Sequence, residues 1–248
     1  MAPTDPTRPD DTCYQWGVFF TDDFVRFGRG EILGGVDIDD AFPNATPGSL
    51  YINEDGFPEY DSDLSVTGDP NPDWMAGFRS TFTFFNNLRV SGLLDIRRGQ
   101  DAWNGTKGAL VYYGTHGSTE AMHGAGTPHT FEGFGPGAGR EVVLNWNTWT
   151  VNGLGSGFTG PSSQFIEDAS YMKLREISLS YTLDPEWLRP LGFTAAEVTV
   201  AGRNLKTWTD YSGIDPENNL WGNSAGRGID YFNNPQSRSW VFGFSLTR

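Results

Sequence analysis

Residues 239–246 (SWVFGFSL) decide the fold class, because their side chains alternate strictly between two kinds. One face carries the large apolar residues, which are Trp240, Phe242, Phe244 and Leu246. The other face carries smaller residues, which are Val241, Gly243 and Ser245. A period of two predicts a β-strand. Large apolar residues facing out and small ones facing in are typical of a lipid-facing barrel wall, although a strand of a soluble sandwich also alternates.

Five further segments upstream have the composition of strands. They are residues 14–27, 78–85, 88–97, 173–181 and 197–205. Only Asn86 and Asn87 separate the second and third of these strands, and asparagine tolerates the positive φ of a tight hairpin turn. The sequence therefore predicts six strands.

The connections between these strands alternate between long and short. The three long connections cover residues 28–77, 98–171 and 205–238. A soluble sandwich has no physical reason to place every long loop at one end, whereas an outer-membrane barrel has short periplasmic turns and long extracellular loops. The pattern predicts a transmembrane β-barrel whose long loops lie outside the cell and whose last strand ends in the periplasm. Six strands cannot close such a barrel, so we expect the missing strands to lie upstream.

Composition fits this class and excludes others. Aromatic residues make up 15% of the chain, and the net charge is −14 with a pI near 4.5, so nucleic acid is not an expected partner. The acidic runs, such as residues 37–40 and 54–63, are interpreted as solvated loops. The single cysteine, Cys13, excludes a disulfide within the chain. Residues 1–11 lack the pattern of a secretory signal peptide, so a signal for export is expected upstream.

Several motifs occur in a fixed order along the chain. They are GDPNPDW (68–74), GQDAWN (99–104), FIEDASYMKLREISLSY (165–181), GRNLKTWTDY (202–211), GIDPE (213–217) and Pro235. Together they resemble the C-terminal end of SusC/RagA-type TonB-linked outer-membrane transporters. Members of this family commonly end on an aromatic residue, whereas Thr247 and Arg248 follow Leu246 here.

The resemblance implies an all-β fold, with this chain forming the C-terminal segment of a 22-stranded barrel that encloses a plug domain. It also implies a SusD-like surface lipoprotein as partner, the TonB complex as the source of energy, and a glycan or peptide fragment as substrate. Residues 1–248 would then be the C-terminal part of the receptor barrel in the cell outer membrane. Neither the plug nor the segment that contacts TonB is expected within them.

Catalytic and metal-binding patterns are scarce. His116, His123 and His129 lie in one glycine-rich region without cysteine partners or helical spacing, which does not indicate a zinc site. The glycines of residues 133–139 and the GLGSG run at 153–157 fit neither a phosphate-binding loop nor a nucleophile elbow. We predict that the protein is not an enzyme and has no catalytic residues, bound metal or cofactor.

Ligand contact is predicted for the aromatic residues of the last long loop and for the nearby Asp210, which could supply hydrogen bonds. The candidates are Trp208, Asp210, Tyr211, Trp221 and Tyr231, with Asn218 and Asn219 as nearby hydrogen-bonding groups. Aromatic faces stack on sugar rings or apolar peptide side chains. The alternative is an interfacial aromatic belt or packing within the loop. For the whole chain, the alternative to a transporter fragment is a self-standing all-β module that binds glycans or mediates adhesion.

Overall fold

The computed structural model describes residues 16–151, 153–156, 160–220 and 226–248. Cys13, Tyr14 and Trp221 therefore lie outside the described residues. The chain divides into two compact units. One unit contains residues 71–101, 168–218 and 233–248, and we call it the sheet unit. The other contains residues up to 70, 102–167 and 219–232, and we call it the loop unit.

The described residues are mostly strands. In chain order these are β1 (Phe19–Phe24), β2 (Ile32–Leu33), β3 (Val36–Asp37), β4 (Leu50–Tyr51), β5 (Tyr60–Gly68), β6 (Trp74–Phe84), β7 (Leu88–Arg98), β8 (Asp101–Asn104), β9 (Thr127–Thr130), β10 (Gly133–Phe134), β11 (Glu141–Leu144), β12 (Ile166–Asp168), β13 (Tyr171–Thr182), β14 (Ala195–Thr209), β15 (Ile229–Asp230) and β16 (Ser239–Thr247). The α-helices are α1 (Ile38–Ala41), α2 (Gly105–Tyr112) and α3 (Pro185–Leu188). Short 3-10 helices cover Gly117–Met122, Ser162–Phe165 and Arg189–Leu191, and a π-helix covers Trp146–Val151. None of the helices in the described residues is long and apolar enough to cross a membrane.

The sheet unit is built on one five-stranded sheet in the order β16-β14-β13-β7-β6. All neighbouring strands in this sheet are antiparallel. Five of the six predicted strands are therefore confirmed, and they form a single sheet. Among the described residues β6 and β16 are its edges, so the sheet is not closed into a barrel.

The register gives this sheet one apolar face and one polar face. Residues paired across the strands share a face, and two apolar rows run across all five strands. These rows are Phe82–Val90–Leu179–Val200–Phe242 and Phe84–Leu88–Tyr181–Val198–Phe244. Phe82 is 62% exposed and Phe242 is 78% exposed, so nothing in the described residues covers the edge strands on this face. The alternation predicted for residues 239–246 thus extends over the whole sheet.

The long connections leave from one end of the strands and the short connections from the other end, as predicted. Residues 99–170 join β7 to β13 and residues 210–238 join β14 to β16, and both connections leave from one edge of the sheet. At the opposite edge, residues 85–87 join β6 to β7 and residues 183–194 join β13 to β14. We call these two sides of the sheet, where the strands end, the long-connection edge and the short-connection edge; they are distinct from the edge strands β6 and β16.

The tight hairpin between β6 and β7 is confirmed, but its central residues are Phe85 and Asn86 instead of the predicted Asn86 and Asn87. Both have positive φ, at 50° and 62°, and the Asn87 amide donates to the Phe84 carbonyl across 3.3 Å. These features define a type I′ turn, which matches the twist of the flanking strands. The sequence did not indicate it because phenylalanine rarely adopts positive φ.

The predicted end of the fifth strand near residue 205 is wrong, because β14 continues to Thr209. The register between β13 and β14 shifts between Leu174 and Glu176, where β14 accommodates one extra residue. Asn204 lies in this bulge with a φ of 52°, and its side chain donates to the Ser237 carbonyl at 3.1 Å. The Arg203–Asn204 pair therefore bends the strand and does not terminate it.

The loop unit consists of small sheets around a compact apolar cluster. Its buried centre is Val25, Ile38 and Phe134, against which Phe27, Leu33, Phe42, Ala45 and Tyr51 pack. Phe134 makes edge-to-face contacts with several aromatic rings, with centroid separations of 5.4 to 5.6 Å.

Two sequence predictions in this unit need correction. The first predicted strand, residues 14–27, is shortened to β1, and β1 pairs with β5 in a separate two-stranded sheet. The predicted loop 28–77 contains β5, which was not predicted because its acidic residues Asp61 and Asp63 are typical of a solvated loop. The pairing of β1 with β5 depends on backbone hydrogen bonds between distant segments, which local composition does not indicate.

Candidate functional site

The polar face of the five-stranded sheet is the candidate functional surface. Hydroxyl pairs bridge adjacent strands, with 2.6 Å between Ser91 and Ser178 Oγ and 2.9 Å between Ser180 Oγ and Thr199 Oγ1. Two ion pairs add to these contacts, each at 3.0 Å: Arg203 with Glu176 joins the adjacent strands β14 and β13, and Arg89 of β7 reaches across β13 to Glu197 of β14. The face is thus a hydrogen-bonded polar wall opposite an apolar one.

A denser group of charges lies on this face near the long-connection edge. It joins strand residues Asp95, Tyr171, Lys173 and Arg175 to loop residues Asp215 and Glu217, and we call it the wall–loop cluster. Lys173 Nζ donates to Asp215 Oδ1 at 2.6 Å and to Glu217 Oε2 at 2.7 Å. Arg175 forms a bidentate pair with Glu217, at 2.5 and 2.6 Å, and also donates to Asp95. Bidentate arginine–carboxylate pairs are among the strongest hydrogen-bonded contacts in proteins.

Tyr171 is the buried centre of the cluster. Its side chain is fully buried, and its hydroxyl donates to Glu217 Oε1 at 2.5 Å. The Lys173 ammonium lies 5.2 Å from the ring centroid, and the Arg97 and Arg175 guanidinium carbons lie 5.7 and 5.8 Å from it. All three positive charges are therefore close enough to be attracted by the π face of the ring.

The pKa of Glu217 shows how strongly its charged form is held. Burial alone would raise this pKa, but hydrogen bonds donated by Arg175, Lys173 and Tyr171 outweigh burial and lower the pKa to about 2. Glu217 is therefore ionised at every physiological pH.

The cluster fastens both limbs of the 210–238 loop to the wall. The outgoing limb is held through Asp215 and Glu217, where the Asn218 amide donates to the Asp215 carbonyl in a turn at residues 215–218. The returning limb is held through Gln236, whose side chain donates to Glu217 at 3.2 Å. Because these carboxylates are saturated with donors, the arrangement suits the positioning of a loop and not proton transfer.

Three predicted ligand residues belong to the sheet unit. Trp208 lies within β14 and pairs with Met172, on the same face as Ile96, so it is on the apolar side of the sheet. Asp210 is exposed directly after the strand. Tyr211 is buried, and Gly213 packs so closely on its ring that a Cβ there would clash. The structure therefore separates these three residues by face and by burial.

The remaining two candidates are Trp221 and Tyr231. Trp221 lies outside the described residues. Tyr231 belongs to the loop unit, where its ring stacks on Trp103 with 6.1 Å between centroids and an interplanar angle of 21°. The neighbouring Phe232 is 58% exposed and has a φ of 55°, and its amide donates to Thr106 Oγ1 at 2.7 Å. Trp103 and Phe232 were not among the predicted site residues.

The histidines have local structural contacts. His116 Nδ1 caps the 3-10 helix that follows it, accepting from the Ser118 amide at 3.2 Å. His123 stacks on Trp146, and His129 contacts Phe131 edge-on. Within the part of the chain that the structure describes, no three histidine, cysteine or acidic side chains are grouped as metal ligands.

A cavity of about 580 Å³ lies in the loop unit, lined by Val25, residues 28–33 and residues 60–66. Glu31 lies in its wall, and burial together with the negative charge of Asp61 raises the pKa of Glu31 to about 7. Glu31 therefore takes up a proton near neutral pH.

Sequence reasoning missed the wall–loop cluster. The basic residues of KLRE at 173–176 and the acids of GIDPE at 213–217 are visible in the sequence, but the two runs are about forty residues apart in the chain. Opposite charges on two segments indicate a contact only when the topology brings the segments together, and the register of β13 beside β14 supplies that information.

Comparison with known proteins shows what the chain is similar to. No family model matches the chain. Two TonB-dependent receptors of Formosa agariphila, P3 and P26, are 26% and 27% identical to it over 212 residues, which cover 80% and 83% of this chain. The TonB-dependent receptor P39 of the same organism is 29% identical over 89 residues, or 36% of this chain. The chain spans about a fifth of the length of P3 and P26.

Solved structures show the same fold. The RagAB peptide importer in its open-open state matches 93% of this chain and 22% of its own, with a TM-score of 0.53 and 16% identity. In its closed-closed state it matches 92% of this chain and 23% of its own, with a TM-score of 0.51 and 17% identity.

These findings confirm the predicted resemblance to TonB-dependent receptors of the SusC/RagA type. The chain is similar to part of such a receptor in sequence and to part of the RagAB importer in fold. The prediction of a strand-rich, antiparallel architecture is confirmed with it. The relatives are named as receptors and the solved structures as importers or transporters, and none of them is named as an enzyme.

Proposed function

We propose that this chain forms part of the wall and the extracellular loops of an active transporter in the outer membrane. The single observation that carries the proposal is the five-stranded sheet with a continuous apolar face and a hydrogen-bonded polar face. Exposing rows of phenylalanine and leucine to water is unfavourable, whereas exposing them to lipid is not. The polar face then borders the lumen, and the long-connection edge faces the outside of the cell.

The finer features of the proposal come from the family resemblance. We propose that residues 1–248 are the C-terminal part of a 22-stranded barrel, with the last strand ending in the periplasm. The rest of the receptor supplies the plug and the contact with TonB. A SusD-like lipoprotein covers the outer side, and the substrate is a glycan or peptide fragment. The importer whose fold the chain shares carries peptides, which supports the second substrate class.

We further propose that aromatic side chains of the last loop and its borders contact the substrate together with Asp210, as predicted for Trp208, Asp210, Tyr211, Trp221 and Tyr231. Tyr231 has the strongest support, because it is ordered by stacking on Trp103 and stands beside the exposed Phe232. For Trp208, its position on the apolar face favours the alternative of an interfacial belt.

We also propose that this chain has no catalytic role. The charged groups of the wall–loop cluster are paired with one another, and they hold a loop in place. Transport by the assembled receptor is the function that this arrangement supports.

An immunoblot of fractionated source cells tests the proposal. An antibody raised against residues 205–238 should detect a band several times heavier than 27.4 kDa in the outer-membrane fraction. A 27.4 kDa band in the soluble fraction would overturn the proposal and support a self-standing glycan-binding or adhesion module instead.

A further inference from the structure

The connection between β13 and β14, residues 183–194, displays large apolar side chains on an ordered scaffold. Trp187 in α3 and Leu191 in the following 3-10 helix are each 71% exposed, whereas Leu188 between them is buried. The Asp184 carboxylate caps α3 by accepting from the Glu186 amide at 2.9 Å. Proline at the first helical position also favours this geometry. The two exposed side chains thus belong to a capped segment with its own buried residue.

Both limbs of this connection are fixed to the sheet at the short-connection edge. The Leu183 amide donates to the Ala196 carbonyl at 2.9 Å, and the Thr194 amide donates to the Thr247 carbonyl at 2.8 Å. The connection therefore continues the sheet beyond the end of β13, at Leu183, and before the start of β14, at Thr194.

The connection also lies on the apolar side of the sheet. Ala196 and Val198 share the apolar face of β14, yet Ala196 is 2% exposed and Val198 is 41% exposed. The burial is limited to the start of β14, where α3 packs against this strand and Leu188 is buried. A connection folded over the polar face would leave Ala196 open.

Phe85 in the hairpin turn is 91% exposed at the same edge. With Trp187 and Leu191 it forms what we call the apolar rim. The rim adjoins the row Phe84–Leu88–Tyr181–Val198–Phe244. The apolar surface therefore continues beyond the ends of the paired strands at the short-connection edge.

The residue types of the rim point to one occupant. Tryptophan concentrates at the level of lipid headgroups, because its ring is apolar and its N–H is polar. Glu186 and Arg189 flank Trp187, and their charges oppose entry into hydrocarbon while they tolerate the headgroup layer. A protein partner would leave the adjoining apolar rows of the sheet uncovered, whereas a bilayer covers both surfaces together.

We propose that residues 183–194 are an interfacial anchor, which seats Trp187 and Leu191 at the boundary between headgroups and acyl chains at the short-connection edge. The proposal rests on the proposed function, because it requires the sheet to span a membrane. It adds a specific lipid-contacting element outside the strands.

Site-directed fluorescence in the full-length transporter tests the anchor. Cys13→Ser supplies a cysteine-free background for this region, and Trp187→Cys and Leu191→Cys are each labelled with an environment-sensitive dye after reconstitution into phosphatidylcholine vesicles. Phe242→Cys on the apolar face is the membrane reference, and the exposed Glu132→Cys in the loop unit is the aqueous reference. Quenching is compared for lipids labelled near the headgroup, lipids labelled near the acyl-chain end, and aqueous iodide.

The anchor predicts that the dyes at 187 and 191 are quenched roughly twofold more by headgroup-proximal lipids than by deep ones, and little by iodide. The dye at 242 should be quenched by lipid of either kind. Iodide accessibility at 187 and 191 equal to that at 132, with 242 still quenched by lipid, would overturn the anchor and leave the proposed function standing. Loss of lipid quenching at 242 as well would overturn both.

Discussion

At the level of single residues, the carboxylate of Glu217 connects the 210–238 loop to three side chains of β13. Tyr171, Lys173 and Arg175 all donate to it, and Gln236 adds a contact from the returning limb. Removing one partner from a buried set of charges leaves the set with an uncompensated charge, which costs more than the pair itself contributes. The attachment of the loop therefore depends strongly on this one side chain.

Glu217→Gln should release the loop from the wall without unfolding the sheet. We expect a loss of about 3–5 kcal/mol in the local free energy of loop docking, because Lys173 and Arg175 lose their shared counter-charge. Limited proteolysis should then cut residues 210–238 faster, while the heat-dependent gel mobility of the folded barrel stays unchanged. Asp210→Asn, in an exposed position of the same loop, is the control and should keep the wild-type cleavage rate. Equal cleavage rates in the two variants would show that the cluster does not hold the loop.

The same carboxylate predicts a pH dependence. Its pKa is lowered from an ordinary 4.5 to about 2 in the folded state, so its stabilisation is fully present above about 4.5 and is lost as the pH falls towards 2. Pepsin cleavage of the 210–238 loop should accelerate through this window in the wild type. In Glu217→Gln the acceleration should be much weaker. An unchanged acceleration in the variant would assign the titration to other groups.

The ligand contacts proposed for the loop can be tested by uptake. Trp208→Ala, Trp221→Ala and Tyr231→Ala should each lower transport of the natural substrate several-fold if their rings stack on it, because one aromatic contact contributes roughly 1 kcal/mol. The heat-dependent mobility of the barrel should be retained in all three. Wild-type uptake in every variant would sink the hypothesis, and a loss of mobility in Trp208→Ala alone would support the belt role of that residue.

At the level of secondary-structure elements, the hairpin between β6 and β7 stores backbone strain. Phe85 and Asn86 both have positive φ, which asparagine tolerates far better than phenylalanine. The bulky residue at the first position is compatible with its place in the apolar rim, where the membrane would favour an aromatic side chain.

Substitutions in this turn should separate strain from lipid contact. In detergent micelles, Phe85→Asn should raise the free energy of unfolding by up to about 1 kcal/mol, because it relieves the unfavourable φ. Asn86→Val should lower it by about 1–2 kcal/mol, because a β-branched residue is strained there. Urea titrations of the two variants provide the comparison. A stabilising effect of Asn86→Val would contradict the turn geometry.

The elements divide clearly into those that the sequence predicts and those that it does not. The alternation in residues 239–246 and the spacing of the loops predict the strands of the main sheet, because a strand with two differently solvated faces has opposite polarity on alternate side chains. The strand β5 was missed, because Asp61 and Asp63 resemble loop acids when their pairing with β1 is unknown. The extension of β14 was missed, because a bulge at Asn204 has no strong local signature.

At the level of the whole molecule, the two faces of the sheet make opposite predictions for a charge. Phe82 and Thr83 are neighbours on the edge strand β6, both are exposed, and they lie on the apolar and polar faces respectively. Phe82→Lys should cost about 1–3 kcal/mol in a bilayer, because Phe82 lies between the headgroup boundary and the midplane, whereas Thr83→Lys should cost little. Assembly into the outer membrane, followed by heat-dependent mobility, measures the difference. For a soluble module the order should reverse, because Phe82→Lys would remove an exposed apolar group from water.

The fold of the whole chain could be predicted from the sequence only to the level of its fold class. The motif order identified the resemblance to TonB-linked transporters, but the wall–loop cluster and the separate loop unit emerged only from the three-dimensional arrangement. Tyr231 illustrates the limit: the sequence singled it out as an aromatic loop residue, while its stacking partner Trp103 lies far away in the chain.

The charges that fasten the loop have a further consequence for anything that moves past them. Asp95, Asp215 and Glu217 carry three negative charges, and the nearby Arg97, Lys173 and Arg175 carry three positive ones. Beyond roughly 10 Å such a balanced set has almost no electric field, because its contributions cancel and salt screens the remainder. A passing anion and a passing cation would thus meet the same potential along this stretch of wall. Any preference for one sign must therefore be set elsewhere, and replacing a single member of the set would create a preference where none exists.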